Sequence, residues 1–132
     1  MNRLSATITD IKSVDSINVV SFDVAKRTMK MMSLELNEAL VVGSKVLLGA
    51  KATNIALAKE ANPMLSISNQ LDVTIARIDM GALLCSVKFD FGGHLLESII
   101  TRDSALKMQL TVGDTIVALI KSSELSIVEV LT

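Results

Sequence analysis

Three short clusters in this chain are rich in hydrogen-bond donors: Ser66, Ser68 and Asn69; Thr101 and Ser104; and Lys121, Ser122 and Ser123. Hydroxyl and amide groups can each donate, and a Lys ammonium adds a compact positive charge, so such clusters suit a partner that only accepts hydrogen bonds. The same residue types also make ordinary turns, and Thr-x-x-Ser fits a helix N-cap. Both readings stand on residue type alone.

Other chemistries find too few residues. The single Cys85 and single His94 cannot form an intrachain disulfide or a multi-ligand zinc site. No Ser/His/Asp set and no phosphate loop is present, so no catalytic residue is assigned and the chain is not expected to be an enzyme. His94, beside Gly92-Gly93, reads as an exposed hairpin residue, and Cys85 as packing in an alternating strand. In the run Met29-Lys30-Met31-Met32, alternation sends Met29 and Met31 to one face, which favours packing over thioether ligation of a soft metal.

Charge and composition narrow the partners. Lys and Arg total 13 against 14 Asp and Glu, and the aromatics are three Phe with no Trp or Tyr. Neither a basic track for a phosphate backbone nor a stacking platform for bases is available, so no nucleic acid is expected. No window approaches the roughly 18 apolar residues of a membrane span, and the N-terminal stretch lacks an export core. With sparse cysteine this predicts a cytoplasmic protein without membrane insertion.

The elements that position these clusters come from a repeat. Leu4–Ile11, "LSATITDI", overlies Leu71–Ile78, "LDVTIARI", at an offset of 67 residues, and the register carries on to "VVSFDV" over "SVKFDF". After a small length change, "VGSKVLLGAK" from Val42 overlies "VGDTIVALIK" from Val112 at an offset of 70. The shared order of Phe-Asp, Val-Gly and a strand-ending Lys, Lys51 or Lys121, points to duplication. It sets Lys51 and Thr53 against Lys121 and Ser123.

Within each copy the period is that of strands. Gly92-Gly93 reads as a hairpin turn, and "SLELNEALVVG" and "RDSALKMQLTVG" each read as a short helical turn ending at Gly. The expected fold class is therefore all-β: two tandem OB-like five-stranded Greek-key β-barrel units, each with one short helical turn, spanning 1–61 and 62–132. A unit of that size is marginal alone, so pairing of the copies and oligomerisation should add burial.

The segment Ser66–Val128 resembles the Mop or molbindin (TOBE-type) domain, on "SISNQ" (Ser66–Gln70), "ITRDS" (Ile100–Ser104) and "IKSS" (Ile120–Ser123) in that order. The first copy is a more diverged example. The resemblance implies OB-like domains that bind molybdate or tungstate at subunit interfaces, with no reaction performed. It places ligand donors at Ser66, Ser68, Asn69, Lys121, Ser122 and Ser123, with Thr101 and Ser104 as a second candidate set and Lys51 and Thr53 in the first copy. Asp72, Asp103 and Glu124 would have to point away from a bound dianion. Ser68 stands where the family usually has Arg, and the first copy's lead-in is reduced to Met1-Asn2, so its sites should be weak or absent. The implied function is storage or homeostasis of the oxyanion in a homo-oligomer, a trimer first and a dimer second. The alternative is a ligand-responsive module acting through a partner protein of molybdate transport or regulation.

Overall fold

In the computed structural model, which describes residues 1–132, the alternating runs form ten strands. They are β1 (Asn2–Val14), β2 (Ile17–Val24), β3 (Arg27–Ser33), β4 (Lys45–Ala50), β5 (Ile55–Ala58), β6 (Asn69–Met80), β7 (Leu84–Phe91), β8 (His94–Thr101), β9 (Thr115–Ile120) and β10 (Ser126–Val130). One helix, α1 (Arg102–Met108), lies between β8 and β9, and single 3₁₀ turns at Ala52–Asn54 and Ser122–Glu124 follow β4 and β9. The expected all-β class holds.

The repeat is visible in the burial of equivalent strands. β2 and β7 show the same alternation, with Val20, Phe22, Val87 and Phe89 fully buried. Both long strands carry a β-bulge at the same place, between Ile8 and Asp10 and between Ile75 and Arg77. The bulge gives the recurring Val-Gly pair its purpose. Gly43 and Gly113, at φ +96° and +94°, donate to the carbonyls of Ile8 and Ile75 at 2.8 Å, closing each barrel over its kinked strand.

The two sheets have the orders β10-β4-β1-β2-β3 and β5-β9-β6-β7-β8. The last strand of each copy, expected within its own unit, instead completes the sheet of the other: β5 pairs with β9, and β10 with β4. Strand lengths and turn signals are the same for either arrangement, so only the tertiary partner distinguishes them. One core of 26 buried residues runs through both copies, which offsets the small size of each.

A second difference concerns the stretch before β4. Residues 34–43 form turns and no helix. The Asn37 carbonyl oxygen of the side chain accepts from Ala39 N–H at 2.9 Å, and Ser33 bonds within its own turn to Glu35, so short polar side chains satisfy backbone groups that a helix would otherwise use. In the second copy Thr101 caps α1 by accepting from Ser104 N–H at 3.1 Å. That helix ends at Gln109, in the left-handed conformation, ahead of Gly113. Without a helix, the first copy has an open groove of about 550 Å³ between β3 and β10, lined by Met31, Leu36, Leu40 and Ile127.

Candidate functional site

The two lead-ins to the long strands sit at equivalent places. Asn69 pairs with Ile120 and Asn2 with Ala50, so Ser68 and Lys121 in the second copy, and Met1 and Lys51 in the first, each stand one residue beyond the last ladder pair. The 3₁₀ turn after each Lys then brings Ser122 and Ser123, or Ala52 and Thr53, to the same end of the barrel. Of the expected donors, the fold therefore brings Ser68 toward Lys121 and the turn that holds Ser122, and Lys51 toward Thr53, while Ser123, in the same turn as Ser122, lines a cavity with Met1 and Lys51.

Asn69 has a different part. It is 1% exposed, its Oδ1 accepts from Lys30 N–H at 2.8 Å, and its Nδ2 donates to the Lys30 and Ile120 carbonyls at 2.8 and 3.0 Å. Both amide hydrogens are committed, which leaves no side-chain donor for a ligand. Asn69 fixes the lead-in of the second copy onto β3 of the first. Asn2 does the same in reverse: Oδ1 accepts from Glu97 N–H at 2.6 Å and Nδ2 donates to the Glu97 carbonyl at 2.8 Å. The two clasps are equivalent in the repeat, since the offset of 67 that relates Asn2 to Asn69 also relates Lys30 to Glu97.

Ser66 and Ser68 are exposed, on a segment held by Gln70. The Gln70 amide accepts from Asn62 N–H and donates to the carbonyls of Asn62 and Ile67, each at 2.8 Å. Lys121 and Ser123 are exposed and Ser122 is half-buried, and Lys121 is in no ion pair. These groups can turn their donors outward. Thr101 and Ser104 lie elsewhere: Thr101 pairs with Leu84, beside the Met80 end of β6, whereas Ser68 precedes the Asn69 end. The Thr101 hydroxyl also donates to Ser104 Oγ at 2.9 Å, so this pair is engaged in capping α1.

The carboxylates near the clusters are distributed unevenly. Asp72 forms an ion pair with Arg27 at 3.1 Å, and Asp103 sits in the first turn of α1, where a negative charge suits the helix start. Glu124 accepts from the Asn54 side-chain amide at 2.8 Å and lines a cavity of about 180 Å³ together with Met1, Lys51 and Ser123. A second cavity, of about 170 Å³, is also lined by Met1 and holds Ala52, Lys88 and Glu97.

The remaining reactive groups are apart from both lead-ins. Cys85 is buried, and its thiol is raised above its ordinary value of 9.0, chiefly by burial and further by Asp79, with Arg102 opposing. His94 is half-buried at the start of β8, Met29 and Met31 belong to the core, and Met32 faces outward. No three of His, Cys, Asp and Glu gather into a group that could hold a metal ion, and no helix is long and apolar enough to cross a membrane.

Residues 65–127 match the TOBE domain family. Over 92 residues, 68% of this chain, the sequence is 35% identical to the molybdenum import ATP-binding protein ModC of Brucella abortus (strain 2308), and equally to ModC of Brucella suis biovar 1. The chain spans 26% of the length of these relatives. The whole fold is that of the cytoplasmic molybdate-binding protein ModG, solved with molybdate bound: the TM-score is 0.88 at 24% identity, over 95% of this chain and 93% of that one. A molybdate binding protein from Sporomusa ovata is 31% identical, covering 49% of this chain and 97% of its own, with a TM-score of 0.48.

Proposed function

We propose that this protein binds molybdate or tungstate in the cytoplasm and performs no reaction, serving storage or homeostasis of the oxyanion. The observation that supports the reading is the β6–β9 register, which runs Ser68 toward Lys121 and the turn of Ser122 and Ser123 within the stretch that matches the TOBE domain. A tetrahedral dianion offers only acceptors at neutral pH, and hydroxyls, backbone N–H groups and an ammonium can each donate to it. Hydrogen bonds to a charged partner contribute about 1.5–3 kcal/mol each, so three or four support micromolar affinity after the entropy of binding is set against them.

The ligand-binding form is a homo-oligomer, a trimer in preference to a dimer. Within one chain the donors stand on an open surface, so a dianion there is covered from one side, and a second copy supplies the rest. The exposed apolar residues Leu34, Val41, Val42, Leu83 and Leu95, each more than half accessible, provide surface for such contacts.

Isothermal titration with molybdate, tungstate, sulfate and phosphate tests the binding. Heat with the first two and little with the others is expected, and silence with molybdate and tungstate would sink the reading. Light scattering tests the assembly, for which a monomer both with and without oxyanion would be decisive against it. A second reading follows from the likeness to ModC: the same oxyanion site informs a partner protein of molybdate transport or regulation. Co-purification of a stable heteromeric partner distinguishes it from storage.

A further inference from the structure

The two lead-ins clasp residues of opposite charge through the same backbone contacts. Asn69 holds Lys30 by its N–H and C=O, and Asn2 holds Glu97 by its N–H and C=O, so Lys30 and Glu97 occupy one position of the repeat and differ by two units of charge. Around them the polar character differs in the same sense. Ser68 and Ser122 at the middle lead-in are replaced by Met1 and Ala52 at the N-terminal one, while Lys121 and Lys51 are common to both.

The Glu97 carboxylate is placed where it matters. It lines the cavity of about 170 Å³ that also holds Met1 and Ala52, the counterparts of Ser68 and Ser122. Its Oε2 is fixed there by the Ser86 hydroxyl, and its cross-strand neighbour Lys88 forms no ion pair with it. Glu97 thus adds a carboxylate, beside Lys88, to the cavity at the N-terminal lead-in, while Lys51 lines the neighbouring cavity with Met1; the residue clasped at the middle lead-in is instead Lys30.

We propose that the Lys30/Glu97 position selects which of the two equivalent lead-ins takes an oxyanion: Lys30 favours the dianion at the lead-in of Ser68, Lys121 and Ser122, and Glu97 disfavours it at the lead-in of Met1 and Ala52. The inference rests on the oxyanion reading above and assigns a specificity role to two residues outside the donor clusters. A carboxylate within several ångströms of a dianion weakens binding by about tenfold or more, and an ammonium there strengthens it comparably.

Titration of Glu97→Lys, Glu97→Gln and Lys30→Glu with tungstate, each variant first checked for a native far-UV spectrum and cooperative melting, tests this. The wild-type protein should show one class of site, Glu97→Lys should double the tungstate bound per chain, and Lys30→Glu should weaken the original class by tenfold or more. Glu97→Gln keeps a hydrogen-bonding group beside Ser86 and removes the charge, so it serves if the Lys variant does not fold; it should admit weaker extra binding. Wild-type protein that already loads both lead-ins, or folded Glu97 variants with unchanged stoichiometry, would overturn the proposal. Wild-type protein that binds nothing would defeat the oxyanion reading itself; charge selection would then stand only if Glu97→Lys gained binding, and would fall if it did not.

Discussion

The side chain of Asn69 holds the backbone of Lys30 by both its N–H and its C=O, across the boundary between the two copies. Its remaining amide hydrogen reaches Ile120, so one buried residue joins β3, β6 and β9. Replacement by Ala strands these groups, at a cost of about 1–3 kcal/mol for a buried polar group left unpaired. Asn69→Asp should be no better, because its second oxygen would face two carbonyls. Denaturant midpoints measure both variants, and either one within 0.5 kcal/mol of wild type, roughly the scatter of surface substitutions, would refute the clasp.

A second contact between copies is made by the hairpin turns. Gly92, at φ +54°, would place an added Cβ 2.5 Å from Ala25 Cβ, and neither carbon can rotate away. Gly92→Ala should lose about 1–3 kcal/mol by overpacking. Ala25 is itself at φ +50°, a conformation that Gly accepts without strain. The double variant Ala25→Gly/Gly92→Ala should therefore recover part of the loss, and thermal melts of the three proteins measure it. Equal losses in the single and double variants would show that the turns do not meet.

Much of this arrangement was legible in the residues. The offset of 67 fixed the equivalence of β1 with β6 and of β2 with β7, and the Val-Gly pair marked the turn that closes each bulge. Gly92-Gly93 marked its hairpin, whereas Ala25-Lys26 adopts the same positive φ without glycine and left no such mark. The exchange of β5 and β10 was not legible, because a short apolar strand carries no record of which edge it joins. The candidate donors were found by type. The commitment of Asn69 depends on Lys30, 39 residues away, and no local pattern reports that.

Lys121 should carry ligand affinity where Lys51 does not. Both end equivalent strands and begin equivalent turns, but the cavity at Lys51 also holds Glu124, and Met1 replaces a hydroxyl. Removing the ammonium by Lys121→Ala should weaken molybdate binding by roughly one charged hydrogen bond, about 1.5–3 kcal/mol, or from about tenfold to somewhat over a hundredfold. Lys51→Ala should leave affinity within about twofold, a change below 0.5 kcal/mol. Titration of the two variants side by side checks this, and equal losses would place ligand at both.

Cys85 gives a pH dependence of defined sign. Burial, with Asp79 adding and Arg102 opposing, raises the native thiol above 9.0. The unfolded chain then releases the proton first as pH rises. The stability that Cys85 contributes is complete below pH 9.0 and is lost as pH climbs from there through the higher native value. Between pH 8 and 10, wild type should lose more unfolding free energy than Cys85→Ala, measured in urea. The native thiol should also react with a disulfide reagent at pH 8 far more slowly than the urea-unfolded one. A rate equal to that of the unfolded protein would mean that β7 does not shield it.

The exchanged strands make the copies interdependent, and separate expression of 1–61 and 62–132 tests this. The first fragment keeps β5 but lacks β9, its partner, and the second keeps β10 without β4. Each would also expose its half of the shared core of 26 residues. A unit of this size has little stability to spare. Each fragment alone should therefore be unfolded, or should pair with itself by the same strand exchange, and mixing the two should yield a 1:1 complex with the cooperative melt of the intact chain. Size-exclusion chromatography and far-UV dichroism follow the outcome. Two fragments that each fold cooperatively as monomers would show that β5 and β10 can return to their own copies, and that the exchange is not what joins them.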